Sequence, residues 1–265
     1  MEVLQATILG VVQGLAEFLP ISSSGHLKLI HEGLGWSDFG LAYDTFLHVA
    51  TLLAVAVYFR SDLVRMARSA FSSEPTRADD RRLAWLVVAA TVPTGVIGLV
   101  GNGWFEDASL LWIGVAFLLT SVVLIAADRL SRSVAPPAER LGWGRGLLVG
   151  VAQGLAIMPG LSRSGATMSA GMALGLDREQ AARFSFLLSV PIILLAAVKQ
   201  GIDVLGDAQT LPSLPAVLAG FIAAALTGYV AIALLMRLLR NHTFLPFAVY
   251  TALLGSAVIV WQLAG

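Results

Sequence analysis

Apolar residues run through this chain in long blocks separated by short polar clusters. The blocks at 43–59, 83–101, 110–128, 183–199, 212–236 and 244–262 approach the ~20 residues with which a helix crosses a bilayer. Two more apolar stretches, about 2–26 and 146–170, are broken by Pro and by a Ser/Gly cluster, so each predicts helix–turn–helix rather than one span. Non-helical backbone at membrane depth survives only where protein buries it or a wet cavity receives it. Both stretches therefore predict re-entrant hairpins. The expected fold is an all-α polytopic membrane protein, one membrane domain over 1–265, with six transmembrane helices and two helical hairpins meeting near the midplane.

The arginines orient these elements. Arg60, Arg65, Arg68, Arg77, Arg81 and Arg82 fall in one interspan segment, and Arg129, Arg132, Arg140 and Arg145 in a second. Arg178 with Arg183, and Arg237 with Arg240, mark two more places on the same side, which the positive-inside rule makes cytoplasmic. The other side receives Lys28 and Lys199 with Glu106, Asp107, Asp203 and Asp207. Both termini then lie outside, hairpin one enters from outside, and hairpin two enters from the cytoplasm. Each hairpin is followed by three spans. The halves, 1–128 and 140–265, joined by a linker over 129–139 that holds Pro136 and Pro137, read as an inverted-topology repeat, an architecture that gathers its broken elements at the midplane.

Composition narrows the class. The chain is 57% hydrophobic and 13% charged, against roughly 25% charged in soluble domains. There is no cysteine, which excludes disulfides, iron–sulfur clusters and Cys-zinc sites. The formal net charge is zero, and no nucleic-acid partner is expected. Only Glu2 is charged ahead of the first apolar run, so no secretory signal is expected, and no polar stretch exceeds about two dozen residues, so no appended soluble domain is expected. A homo-oligomer is compatible with all of this.

The two hairpins carry one motif twice. Copy one is Gln13-Gly14-Leu15-Ala16-Glu17, then Pro20-Ile21-Ser22-Ser23-Ser24-Gly25-His26; copy two is Gln153-Gly154-Leu155-Ala156, then Pro159-Gly160-Leu161-Ser162-Arg163-Ser164-Gly165-Ala166-Thr167. The mismatches divide the chemistry: Glu17, Ser23 and His26 in copy one stand against Ile157, Arg163 and Ala166 in copy two. An ionisable group at membrane depth is expensive and functional by default; the bland alternative for Glu17 is a carboxylate reaching the outer interface. His26 is either interfacial or functional, and its three serine neighbours favour function. The serines also supply helix-capping oxygens. A half-helix starting at depth aims free N–H groups and its positive dipole end at an anion, with Gly25 and Gly165 letting backbone approach closely. Arg163, flanked by Ser162 and Ser164, suits a phosphate because its fork is bidentate and always charged; the alternative is a structural ion pair with Glu17. Gln13 and Gln153 either brace the hairpins or touch ligand. Asp44 and His48 share a helix face at the start of a span and are expected at the interface or the outer mouth of a cavity.

These motifs resemble the two signatures of the undecaprenyl-diphosphatase family, the integral-membrane phosphatases named for bacitracin resistance, over the whole chain. The resemblance implies hydrolysis of undecaprenyl diphosphate to undecaprenyl phosphate and phosphate, recycling the lipid carrier of cell-wall synthesis. It implies a polyprenyl diphosphate lipid as substrate, the bacterial cytoplasmic membrane as location, and a site open to the outer face. Catalytic roles fall on Glu17, Ser23, His26 and Arg163, with Ser23 as nucleophile and His26 as its acid–base partner, or with His26 or water as nucleophile instead. Phosphate binding falls on Ser22, Ser24, Gly25, Ser162, Arg163, Ser164, Gly165 and Thr167, with Gln13 and Gln153 in support. The family is similar to a divalent-cation-dependent enzyme using Mg or Ca, here held by Glu17 and the substrate's phosphates. Many relatives carry Glu where this chain has Gln13, so any role needing two carboxylates on this helix is in doubt. The rival reading, suggested by opposed hairpins, is an inverted-repeat transporter or flippase of a lipid phosphate.

Overall fold

The structure, a computed structural model, describes residues 2–36, 39, 41–101, 108–130, 137–206 and 212–264. Among them are eleven α-helices and no strand: α1 (Glu2–Phe18), α2 (Ser23–Gly33), α3 (Leu41–Tyr58), α4 (Arg60–Ser69), α5 (Ala78–Val100), α6 (Leu110–Leu130), α7 (Trp143–Leu155), α8 (Arg163–Ala173), α9 (Arg178–Gly206), α10 (Leu214–Leu238) and α11 (Leu245–Ala264). Glu106, Asp107, Arg132, Pro136, Asp207 and the side chain of Asp203 lie outside the described residues.

Five helices, α5, α6, α9, α10 and α11, are long and apolar enough to cross a membrane. The sixth expected span is α3, which qualifies together with α4 across a 78° bend. The sequence reading did not separate α4. The chain turns there because Arg60-Ser61-Asp62 ends the apolar run and the helix continues as a polar one with Arg65 and Arg68 exposed. The two interrupted stretches are α1–α2 and α7–α8, each a helix, a short break and a second helix.

The hairpins enter from opposite ends. At the start of α1, Glu2 accepts hydrogen bonds from the backbone and hydroxyl of Ser213, just ahead of α10, at 2.8 and 2.6 Å. The far end of α10 carries Arg240, paired with Glu179 at the start of α9. At the start of α7, Trp143 lies under the Arg82 guanidinium, 5.6 Å from ring centre to carbon. Around it the charges interlock. Arg183 bridges Asp62 and Glu139 at 2.6 and 2.7 Å, and Arg178 pairs with Asp128 at 2.8 Å. The arginines assigned to separate segments thus share one end of the molecule.

Packing between helices is close and reciprocal. α1 lies along α10 and α7 lies along α5. A Cβ on Gly10 would collide with the carbonyl of Gly220, and one on Gly150 with the carbonyl of Ala90. Small residues permit such approach where lipid gives helices no hydrophobic drive to associate. α6 and α11 meet likewise at Gly114 and Gly255.

Candidate active site

The breaks in the two hairpins bring their tips together. Ser22 caps α2 by accepting a hydrogen bond from Gly25 N at 3.3 Å, and Ser162 caps α8 in the same way from Gly165 N at 3.0 Å. Ser22 sits at φ 70°, a left-handed conformation that side chains other than glycine rarely adopt and that clusters at functional sites. Gly160, at φ 88°, makes the corresponding turn in hairpin two. Ser24 Oγ accepts from Gly160 N at 3.3 Å, and Ser164 Oγ donates to the Leu19 carbonyl at 3.1 Å. Each tip therefore holds the other.

Between them lies a pocket of about 270 Å³, lined on one side by Glu17, Ser22, Ser23 and Ser24 and on the other by Ser162, Arg163 and Ser164. Asp44, Thr45 and His48 of α3 and Ile192, Ile193 and Ala196 of α9 complete it. Glu17 is its hub, 6% exposed. Its Oε1 accepts from Arg163 Nη2. Its Oε2 accepts from Ser23 Oγ at 2.6 Å and from Gln13 Nε2 at 3.0 Å. His48 Nε2 stands 3.6 Å from the same Oε2. His48 Nδ1 donates to the Asp44 carbonyl at 2.8 Å, which can only accept, and this turns Nε2 toward Glu17.

The expected residues divide accordingly. Glu17, Ser22, Ser23, Ser24, Ser162, Arg163 and Ser164 meet at the pocket. The ion pair between Arg163 and Glu17 exists, and it engages only part of the guanidinium's donor fork. Gly25 and Gly165 sit behind the tips, against Phe117 and Pro20. Thr167 turns away and shares a 2.5 Å hydrogen bond with Ser185. Gln13 touches Glu17, whereas Gln153 braces hairpin two by donating to Thr94 of α5 at 3.1 Å.

His26 departs from expectation. Its Nδ1 meets the Ser22 carbonyl at 2.6 Å and its Nε2 meets the Tyr250 hydroxyl at 2.7 Å. The ring stacks on Tyr250 and sits edge-on to Phe117. Both nitrogens are thus engaged away from Ser23, and the hydrogen-bonded base beside Ser23 is Glu17. Sequence reasoning also placed too little weight on Asp44 and His48. Their i,i+4 spacing was visible, but the approach of His48 to Glu17 depends on α3 packing beside hairpin one.

A family profile described as bacitracin resistance protein BacA matches residues 6–257. A protein of Stutzerimonas stutzeri called undecaprenyl-diphosphatase 2 is 42% identical over 266 residues, covering 98% of each chain. An undecaprenyl-diphosphatase of Alcanivorax borkumensis is 43% identical over 98% of this chain and 99% of its own. One from Methanosphaera stadtmanae is 38% identical over 98% of both. With whole-length matches of this kind, and with both motifs converging on one pocket, this chain belongs to the bacitracin resistance protein BacA family.

Proposed function

We propose that this protein is an undecaprenyl-diphosphate phosphatase, releasing the terminal phosphate of the lipid and raising bacitracin resistance by restoring the monophosphate carrier. One observation carries the mechanism: Ser23 Oγ donates to Glu17 Oε2 at 2.6 Å beside Arg163. A serine needs a neighbouring base to attack at neutral pH, and Glu17 is the base in contact. Ser23 Oγ attacks the terminal phosphorus as its proton passes to Glu17. The bond from phosphorus to the bridging oxygen breaks, and the departing undecaprenyl phosphate takes that proton. Water then attacks the phosphoserine, giving one proton to Glu17, which returns it to Ser23. Arg163 and the N–H groups opening α2 and α8 neutralise the non-bridging oxygens, the main requirement of phosphoryl transfer. His48, facing Glu17, is poised to exchange protons with it, and His26 holds the tip through Ser22.

The donor set fits a divalent cation in one way. Among the described residues no three His, Cys, Asp or Glu side chains cluster as a metal cage, and of the two carboxylates lining the pocket Glu17 stands at the tips and Asp44 on α3. A cation would therefore arrive on the diphosphate, held by its oxygens and Glu17, and would supply charge neutralisation.

Opposed hairpin entry and reciprocal packing of α1 on α10 and α7 on α5 support reading 1–128 and 140–265 as an inverted repeat. The arginine-bearing end is then cytoplasmic and the pocket opens to the outer face of the cytoplasmic membrane, with both termini outside. A flippase of lipid phosphates shares that architecture. Phosphate release by detergent-purified protein, with no gradient available, is the outcome expected of the phosphatase. Rapid quench should trap label on Ser23. Label on His26, or solvent oxygen entering phosphate with no phosphoenzyme, would sink the Ser23 role.

A further inference from the structure

A second cavity lies on the other side of hairpin two. It is a groove of about 400 Å³ between α6 and α7, floored by α8. Val123 and Ala127 of α6 form one wall and Ala152 of α7 the other, with Ala166, Ala170 and Ala173 beneath. Its surface is almost wholly carbon. It runs from the hairpin tip toward Leu130 and Ala173, the arginine-bearing end of the molecule.

Three residues, Ala156, Leu161 and Ser162, line both this groove and the polar pocket. The residue after Ser162 is Arg163. A ligand whose anionic end rests on Arg163 and whose apolar chain crosses the tip of hairpin two matches both cavities at once. Alanine floors leave room for methyl branches that larger side chains would exclude. The direction is also right: a lipid entering from the face opposite the arginines points its chain toward them, and the groove continues that line.

We infer that the groove between α6, α7 and α8 binds the prenyl chain of the diphosphate substrate, the first isoprene units passing over Ala156 and Leu161. This rests on the phosphatase reading for the identity of the charged end. Filling the groove should then penalise long chains selectively. In full-length protein, Ala170→Phe and Ala127→Phe should lower kcat/KM at least about tenfold more for undecaprenyl diphosphate than for geranyl diphosphate, the effect of unburying roughly two methylenes. Equal losses on both substrates, or no loss on either, would overturn the assignment. A prenyl diphosphate analogue bearing a photoreactive group in its chain gives a readout free of turnover. With wild-type protein it should label peptides of α6 and α8, and labelling confined to Ile192–Ala197 of α9 would overturn the assignment as well. Should wild-type protein release no phosphate from either substrate, the phosphatase reading fails, and the labelling pattern alone judges the groove.

Discussion

Glu17 binds three donors with one carboxylate. Arg163, Ser23 and Gln13 replace the water that a buried anion would otherwise lose. Glu17→Gln keeps the shape but removes the base and leaves Arg163 uncompensated. Phosphate release should fall by about a hundredfold or more, the usual contribution of a general base, and near-normal turnover would refute the role. Arg163→Lys keeps charge but loses the fork, so turnover should also be poor. Gln13→Glu would set a second carboxylate against Glu17, 3.0 Å from where the amide nitrogen now lies. Activity of that variant should depend more steeply on divalent cation in a chelator titration; identical cation dependence would argue against Glu17 as a ligand. The tip residues were legible in the sequence because charge and serine stand out in an apolar run. The use of His26 was not, because its partner Tyr250 lies at the far end of the chain.

At the scale of elements, the hairpins hold their register through backbone contact. Gly10 against Gly220 and Gly150 against Ala90 leave no space for a side chain. Gly150→Val should destabilise the protein by about 1–3 kcal/mol, as overpacking does, and should lower the melting temperature in detergent while spreading the tips. An unchanged melt would mean that α5 and α7 slide apart at little cost. The spans were readable because an apolar run of bilayer length has few other uses. The α3–α4 bend was not, since α4 is short and polar and owes its direction to partners such as Arg183 on Asp62. The start of α9 at Arg178 was missed for a related reason: its first turn is polar and held by Asp128.

For the whole molecule, the arginine pattern predicts hairpins that enter from opposite sides. It did not reveal that many of those arginines are bonded to acids on neighbouring helices. Because the chain has no cysteine, single-cysteine variants report sidedness directly. Ser213→Cys should react with an impermeant thiol reagent from outside intact cells, and Ser73→Cys only after permeabilisation; the opposite pattern would invert the proposed orientation.

The packing of α1 on α10 bears on how the protein is made. Hairpin one leaves the ribosome long before the surface that seats it, from Gly220 to Gly228, is synthesised. Until α10 inserts, α1 lacks its main partner, and Arg163 reaches Glu17 only once hairpin two is also in place. Catalytic competence should therefore appear late and abruptly during biogenesis, so that truncated or stalled chains carry the serine motif without the ability to attack lipid diphosphates.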